Sequence, residues 1–124
     1  MSKAEATRLH SLLVRAAGRC ARCGRQCSCP NRPRSHTPGC VLDCAHLIRR
    51  GVAATRTILE NAVCLCRSCH RWAHHNPAAF TEWVEATWPG RLDRLREMAA
   101  SLERVDWRER AAQLRAEAKQ KGVL

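Results

Sequence analysis

From Lys3 to Ala17 the apolar residues Leu9, Leu12, Leu13 and Ala16 recur on one stripe among good helix formers, and Gly18 follows as a stop. That spacing predicts a leading helix over 3–17. From Arg19 to Gly39 the periodicity lapses into Cys, Arg, Pro, Ser and Gly, with Pro30, Pro33 and Pro38 breaking any regular element, which reads as a knuckle followed by a loop. Cys40 to Ile48 leans towards strand and Val63 to Leu65 supplies a short partner, giving a hairpin with a wide loop. A helix over 68–75 comes next, and Asn76-Pro77 predicts a fresh helix with Asn as cap and Pro in its first turn. Phe80, Trp83, Val84 and Trp88 then fall at helical spacing, a stripe better suited to packing than to base stacking. Pro89-Gly90 interrupts, and Leu92, Leu95, Met98, Ala99 and Leu102 resume the pattern. Asp106 caps a last helix reaching to about Lys121.

Composition sharpens this picture. A chain of 124 residues fits one domain with a modest core, so a staple is expected, and nine cysteines with six histidines offer one. The odd cysteine count, the lack of an apolar leader before Lys3 and the short apolar runs point to a reducing cytoplasm and to no membrane partner. There, closely spaced cysteines are more often metal ligands than disulfides. The net charge of +11 sits mainly in residues 1–60, with eleven Lys and Arg against three acids. Such a field attracts polyanions, nucleic acid among them, although charge alone equally describes a soluble arginine-rich protein.

Cys20-Ala21-Arg22-Cys23 and Cys66-Arg67-Ser68-Cys69 form two C-x-x-C pairs separated by 42 residues. Each can turn two thiolates towards one tetrahedral ion, and soft thiolates select zinc. A redox dithiol fits less well, because that motif occurs singly after a strand whereas here two copies flank a hairpin. Of the other cysteines, Cys27, Cys29, Cys40 and Cys44, or a set including His36, are candidates for a second zinc site, the alternative being free buried thiols.

Inside this frame lie His46, then Asn61 fifteen positions on, then His70 nine further, directly after the last cysteine. With Asp43-Cys44-Ala45-His46, Glu60-Asn61 and Cys69-His70-Arg71-Trp72-Ala73-His74, residues 20–75 resemble the HNH nucleases, particularly small phage-type members with four cysteines. The resemblance implies an α+β fold: a zinc-pinned ββα-metal finger with a flanking N-terminal helix and a helical C-terminal half. It divides the chain into a nuclease core over 1–76 and a packed helical extension over 77–124. The implied reaction is metal-dependent hydrolysis of DNA phosphodiester bonds, with His46 as general base, His70 as principal ligand of a divalent ion, and His74 and Asp43 as further ligands. An imidazole titrates near neutrality, which suits a base, and His74 lies one helical turn after His70 on the same side. Asn61 would tie down the loop and help orient His46. Arg49, Arg50, Arg56 and Arg71 would hold phosphates, to which a guanidinium fork is well shaped.

Many members of that family carry Asp or His immediately before the catalytic histidine, where this chain has Ala45. Asp43, two residues back, shares its strand face and can reach the same ion directly or through water. Mg²⁺ is the first choice of catalytic ion, with Mn²⁺, Ni²⁺ and Zn²⁺ as alternatives. DNA is the implied partner, with phage packaging or recombination proteins as further ones, in a phage- or prophage-encoded protein of a bacterial cytoplasm. The alternative is a non-catalytic zinc-containing module that binds DNA or assists packaging.

Overall fold

The computed structural model describes residues 2–30, 36–37, 39–101 and 103–124, so Pro33, Pro38 and Leu102 lie outside the described residues. The chain runs α1 (Ser2–Arg15), β1 (Leu42–His46), α2 (Ala53–Arg56), a 3₁₀ turn (Leu59–Asn61), β2 (Ala62–Cys66), α3 (Arg67–His75), α4 (Pro77–Thr87), α5 (Arg91–Ala99) and α6 (Trp107–Gln120). Helix and strand are thus mixed, and among the described residues no helix is long and apolar enough to cross a membrane.

β1 and β2 pair antiparallel with Leu42 opposite Cys66, Ala45 opposite Val63 and His46 opposite Ala62. A two-stranded ribbon is marginal on its own, so its stability comes from what covers it. The alternation of side chains divides the two faces between two helices. Asp43 meets His70 on α3, whereas Cys44 and His46 meet His10 on α1. β2 is buried along its whole length.

Two apolar clusters follow from this arrangement. One surrounds the ribbon, where Leu42, Ala45, Val63, Leu65 and the cysteines are joined by half-buried Trp72, Phe80, Trp83 and Trp88. The aromatic stripe of α4 therefore packs, as its spacing implies, with Trp72–Phe80 centroids 6.3 Å apart edge to face and Phe80–Trp83 stacked at 5.9 Å. The second cluster joins the two ends of the chain: Ala6, Leu9, Leu12 and Leu13 of α1 receive Ala111, Leu114 and Ala118 of α6. An Arg115–Glu5 ion pair lies beside that contact, and the guanidinium of Arg110 donates to Thr57 Oγ1 at 3.0 Å, tying α6 to the wide loop. Gly122 ends α6 at φ 72°, a conformation that lets Val123 N–H reach back to Ala118 O at 2.8 Å and buries the Val123 side chain.

Three details depart from the sequence pattern. The wide loop carries the short helix α2 and a 3₁₀ turn, because Thr55, Thr57 and Asn61 are buried and their backbone must bond locally. Asn76 stands at the N-cap of α4, where its backbone carbonyl accepts from Phe80 N–H at 2.9 Å, but its side chain makes no cap bond; the amide instead donates to Trp72 O at 3.1 Å and closes α3. Met98 is 39% exposed, so the apolar stripe of α5 narrows to Leu92 and Leu95.

Leu114 is 4% exposed in the contact between α1 and α6. Leu114→Ala is expected to cost about 2–4 kcal/mol in urea unfolding of the metal-replete protein. Met98→Ala should change stability by less than about 0.5 kcal/mol in the same assay.

Candidate metal centre and phosphate cleft

The first C-x-x-C pair lies on a tight knuckle. Cys20 N–H bonds Arg25 O at 2.8 Å and Gly24 N–H bonds Cys20 O at 2.9 Å, with Gly24 at φ 81°, where a side chain would be strained. Ala21 N–H then reaches Cys64 O at 2.8 Å, which docks the knuckle on β2. The second pair spans the junction of β2 and α3, where Cys66 is the N-cap and its sulfur accepts from Cys69 N–H at 3.5 Å. The donor atoms of Cys20, Cys23, Cys66 and Cys69 all lie within 4.8 Å of one another, and Cys23 Sγ and Cys66 Sγ are 3.6 Å apart. Ligands about 2.3 Å from a tetrahedral ion stand about 3.8 Å apart, so the four sulfurs are spaced to hold one metal ion.

The surroundings favour negative charge there. Burial pushes the Cys20 thiol up, but backbone N–H groups of Cys23, Cys66 and Arg22 outweigh it and bring the thiol down to about 6. Burial carries Cys69 the other way, to about 12, so an ion must displace its proton. Arg22 stacks on Trp72, 3.6 Å from the ring centroid, and donates to Cys69 Sγ at 3.5 Å. The guanidinium is thus held between an aromatic face and the sulfur cluster, where it would offset the negative charge of thiolates gathered around an ion.

A second group gathers Cys27, Cys29, His36 and Cys40. His36 takes the place of Cys44 in the expected set of Cys27, Cys29, Cys40 and Cys44, because strand alternation turns Cys44 towards α1, where burial raises its thiol to about 11. In the group itself, the hydroxyl and backbone N–H of Thr37 bring Cys29 down to about 7.

The third gathering is a cleft of about 530 Å³ whose lining includes His46, Arg49, Arg50, His70, His74 and Phe80. α3 supplies both His70 and His74, whose Nε2 atoms are 3.2 Å apart. Two imidazoles about 2.1 Å from one tetrahedral ion stand about 3.4 Å apart, so this pair fits a shared cation. Asp43 Oδ2 accepts from His70 Nδ1 at 3.1 Å. A ring lends one nitrogen to an ion, so in this arrangement Asp43 does not share the cation with His70. It fixes the tautomer that turns His70 Nε2 towards His74.

His46 ends β1 and donates from Nε2 to Arg56 O at 3.0 Å, leaving Nδ1 as the acceptor nitrogen. Burial lowers its pKa below the usual histidine value, and Arg50 and Arg56 push the same way against the Arg56 carbonyl. Asn61 is fully buried and clamps the chain just beyond His46, accepting from Ile48 N–H at 2.8 Å and donating to Ile48 O at 3.1 Å. Its own carbonyl accepts from Leu47 N–H at 2.7 Å. Asn61 therefore positions the backbone that carries His46 and not the imidazole directly.

Arg56 and Arg71 are not part of the cleft lining. Arg56 donates instead to Thr7 Oγ1 at 3.2 Å and to Arg50 O at 3.3 Å, which ties the loop to α1. One residue of the site escaped the sequence reading: His10, 1% exposed on α1, whose ring lies 5.3 Å from that of His46. Its one signal in the sequence is a lone histidine next to Leu9 on the apolar stripe of α1. His10, Cys44 and His46 form a third group with donor atoms within 4.8 Å.

Comparison of the chain with protein-family models, with curated proteins and with solved structures finds no match.

His10 bonds Ile58 O at 2.9 Å, and burial lowers its pKa from 6.5 to about 4. Below pH 6.5 the unfolded chain takes up a proton that the folded chain refuses until about pH 4, so stability from this group is full above pH 6.5 and falls as the pH drops through that window. The expected loss is about 3 kcal/mol, on the scale of 1.4 kcal/mol per pH unit. Urea unfolding between pH 7 and pH 4 should show this acid loss reduced in His10→Gln.

Proposed function

We infer that the chain is a metal-dependent nuclease of the HNH type, in which a ββα finger pinned by structural zinc at Cys20, Cys23, Cys66 and Cys69 carries the chemistry. The observation that carries the reading is the single cleft lined by His46, the His70–His74 pair and two arginines. A base, a cation site and phosphate-binding groups are the parts that phosphodiester hydrolysis requires. The intervals between His46, Asn61 and His70 add the likeness to the HNH family described above.

In the proposed reaction, Arg49 and Arg50 hold the DNA backbone at the mouth of the cleft with charge-assisted hydrogen bonds. His46 accepts a proton at Nδ1 from a water molecule as that water adds to phosphorus. The bond from phosphorus to the 3′ oxygen breaks, and the leaving oxygen takes a proton from solvent. His70 and His74 would hold a divalent ion; a pair of imidazoles suits Zn²⁺, Ni²⁺ or Mn²⁺ better than the Mg²⁺ that the sequence puts first, and the ion would supply positive charge to the phosphate as negative charge builds on it. Asp43 keeps the His70 ring turned, and Asn61 keeps the turn after β1 in register with the base. Ala45, 2% exposed, is part of the cleft lining and offers no donor to an ion there.

The test is nicking of supercoiled plasmid with Mg²⁺, Mn²⁺, Ni²⁺, Zn²⁺ or EDTA. Wild type should cut with a divalent ion, and His46→Ala should lose about 100-fold or more while keeping its fold and its structural zinc. Because burial lowers the pKa of His46, the neutral base persists below pH 6.5, so the acid limb of the rate should fall with one proton at a midpoint beneath the ordinary histidine value. Folded wild type that shifts DNA on a gel but cuts with none of these ions would overturn the enzyme and leave a DNA-binding module. For the structural ion, Cys66→Ser should release zinc and abolish cooperative unfolding, read by metal analysis and urea titration.

A further inference from the structure

We propose that the loop ahead of β1 holds a second structural zinc ion, bound by Cys27, Cys29, His36 and Cys40 as a Cys₃His site. This inference is independent of the nuclease reading, because it concerns donors outside the cleft.

The geometry is that of ligands around an ion. All four donor atoms lie within 4.8 Å of one another. His36 Nδ1 is 3.6 Å from Cys27 Sγ and 3.5 Å from Cys40 Sγ. A sulfur about 2.3 Å and a nitrogen about 2.1 Å from one tetrahedral zinc stand about 3.6 Å apart. No disulfide competes for these thiols among the described residues.

Backbone N–H groups aim at the sulfurs of both cysteine clusters. In the first, Cys23 N–H and Cys69 N–H point at Cys20 Sγ and Cys66 Sγ, each at 3.5 Å. In the second, Thr37 N–H and Leu42 N–H point at Cys29 Sγ and Cys40 Sγ, each at 3.4 Å. Such donors stabilise thiolate over thiol, which is the form that an ion takes.

Among the described residues of this loop the ligands themselves reach the core: Cys27 and Cys29, 5% and 7% exposed, join the cluster that holds Leu42 and the ribbon, and half-buried Cys40 packs against it. An ion here would give residues 26–41 a centre and fix the entry of β1, where Arg67 already donates to Cys40 O at 2.9 Å. The odd cysteine count then has a simple account: seven of the nine are ligands, and half-buried Cys44 and buried Cys64 stay as thiols that burial raises to about 11 and about 12.

The deciding experiment is zinc counting on the full chain by native mass spectrometry and elemental analysis, with X-ray absorption at the zinc edge. Two zinc ions per chain are expected, with seven sulfur ligands to one nitrogen over the pair. His36→Ala combined with Cys29→Ala should keep one ion in an all-sulfur shell, and Cys44→Ser should keep both. One ion in an all-sulfur shell for wild type would overturn the proposal. So would a second ion lost in Cys44→Ser and retained in the His36 and Cys29 variant. If that variant does not fold, the wild-type count and ligand shell decide the matter alone.

Discussion

The meeting of Cys23 and Cys66, 3.6 Å between sulfurs, joins a knuckle at residues 20–24 to the corner between β2 and α3. Neither partner would hold that position unaided. The knuckle is a short turn with one isolated bridge, Arg19 to Gln26, and the ribbon has only two strands. Bringing four sulfurs together closes a loop of more than forty residues, and the entropy of that closure must be met by a strong local interaction. A structural ion is the interaction the donor set is suited to, and Arg22 over Trp72 adds the positive charge that the sulfur cluster requires.

The cleft inherits its geometry from that corner. Because α3 begins at Cys66 and carries Cys69 in its first turn, whatever holds these sulfurs also sets the rotation of α3 and hence where His70 and His74 point. β1 is then positioned by its pairing with β2, which sets Asp43 against His70 and puts His46 at the end of the strand. Asn61 locks the last joint, since its buried amide satisfies both backbone groups of Ile48 and could not be replaced by an apolar side chain without orphaning them. The proposed base is thus held by backbone contacts from two sides, Arg56 O on its ring and the Asn61 clamp on its chain.

The C-terminal half plays a different part. α4 covers the finger with half-buried aromatics, while α6 passes back to α1 and seals a second apolar cluster. α1 links the two, carrying Leu9 and Leu13 into the helical cluster and His10 under His46. That coupling explains why a fully buried histidine is tolerated on α1: with Ile58 O at one nitrogen it stays neutral, and so adds no positive charge beneath the site.

The sequence by itself determined the local elements and the metal-binding frame. Leu9, Leu12 and Leu13 at helical spacing, Asp106 as a cap whose carboxylate accepts from Glu109 N–H, and two C-x-x-C pairs are all short-range signals, written within a few residues of where they act. It also marked His46, Asn61, His70 and His74 as residues worth bringing together, because their intervals matched a pattern. Only the tertiary structure decided the partners. Cys44 and His36 could not be told apart by spacing, since the choice depends on which strand face turns to α1. Asp43 was legible as a neighbour of the site, but only the packing of α3 across β1 showed that it meets His70 Nδ1 and orients the ring. Arg56 looked like a phosphate ligand until the fold drew its guanidinium to Thr7, and His10 looked like nothing until α1 lay beneath β1. Contacts between residues 27 to 49 positions apart are set by packing and loop closure, and neither leaves a periodic trace in the chain.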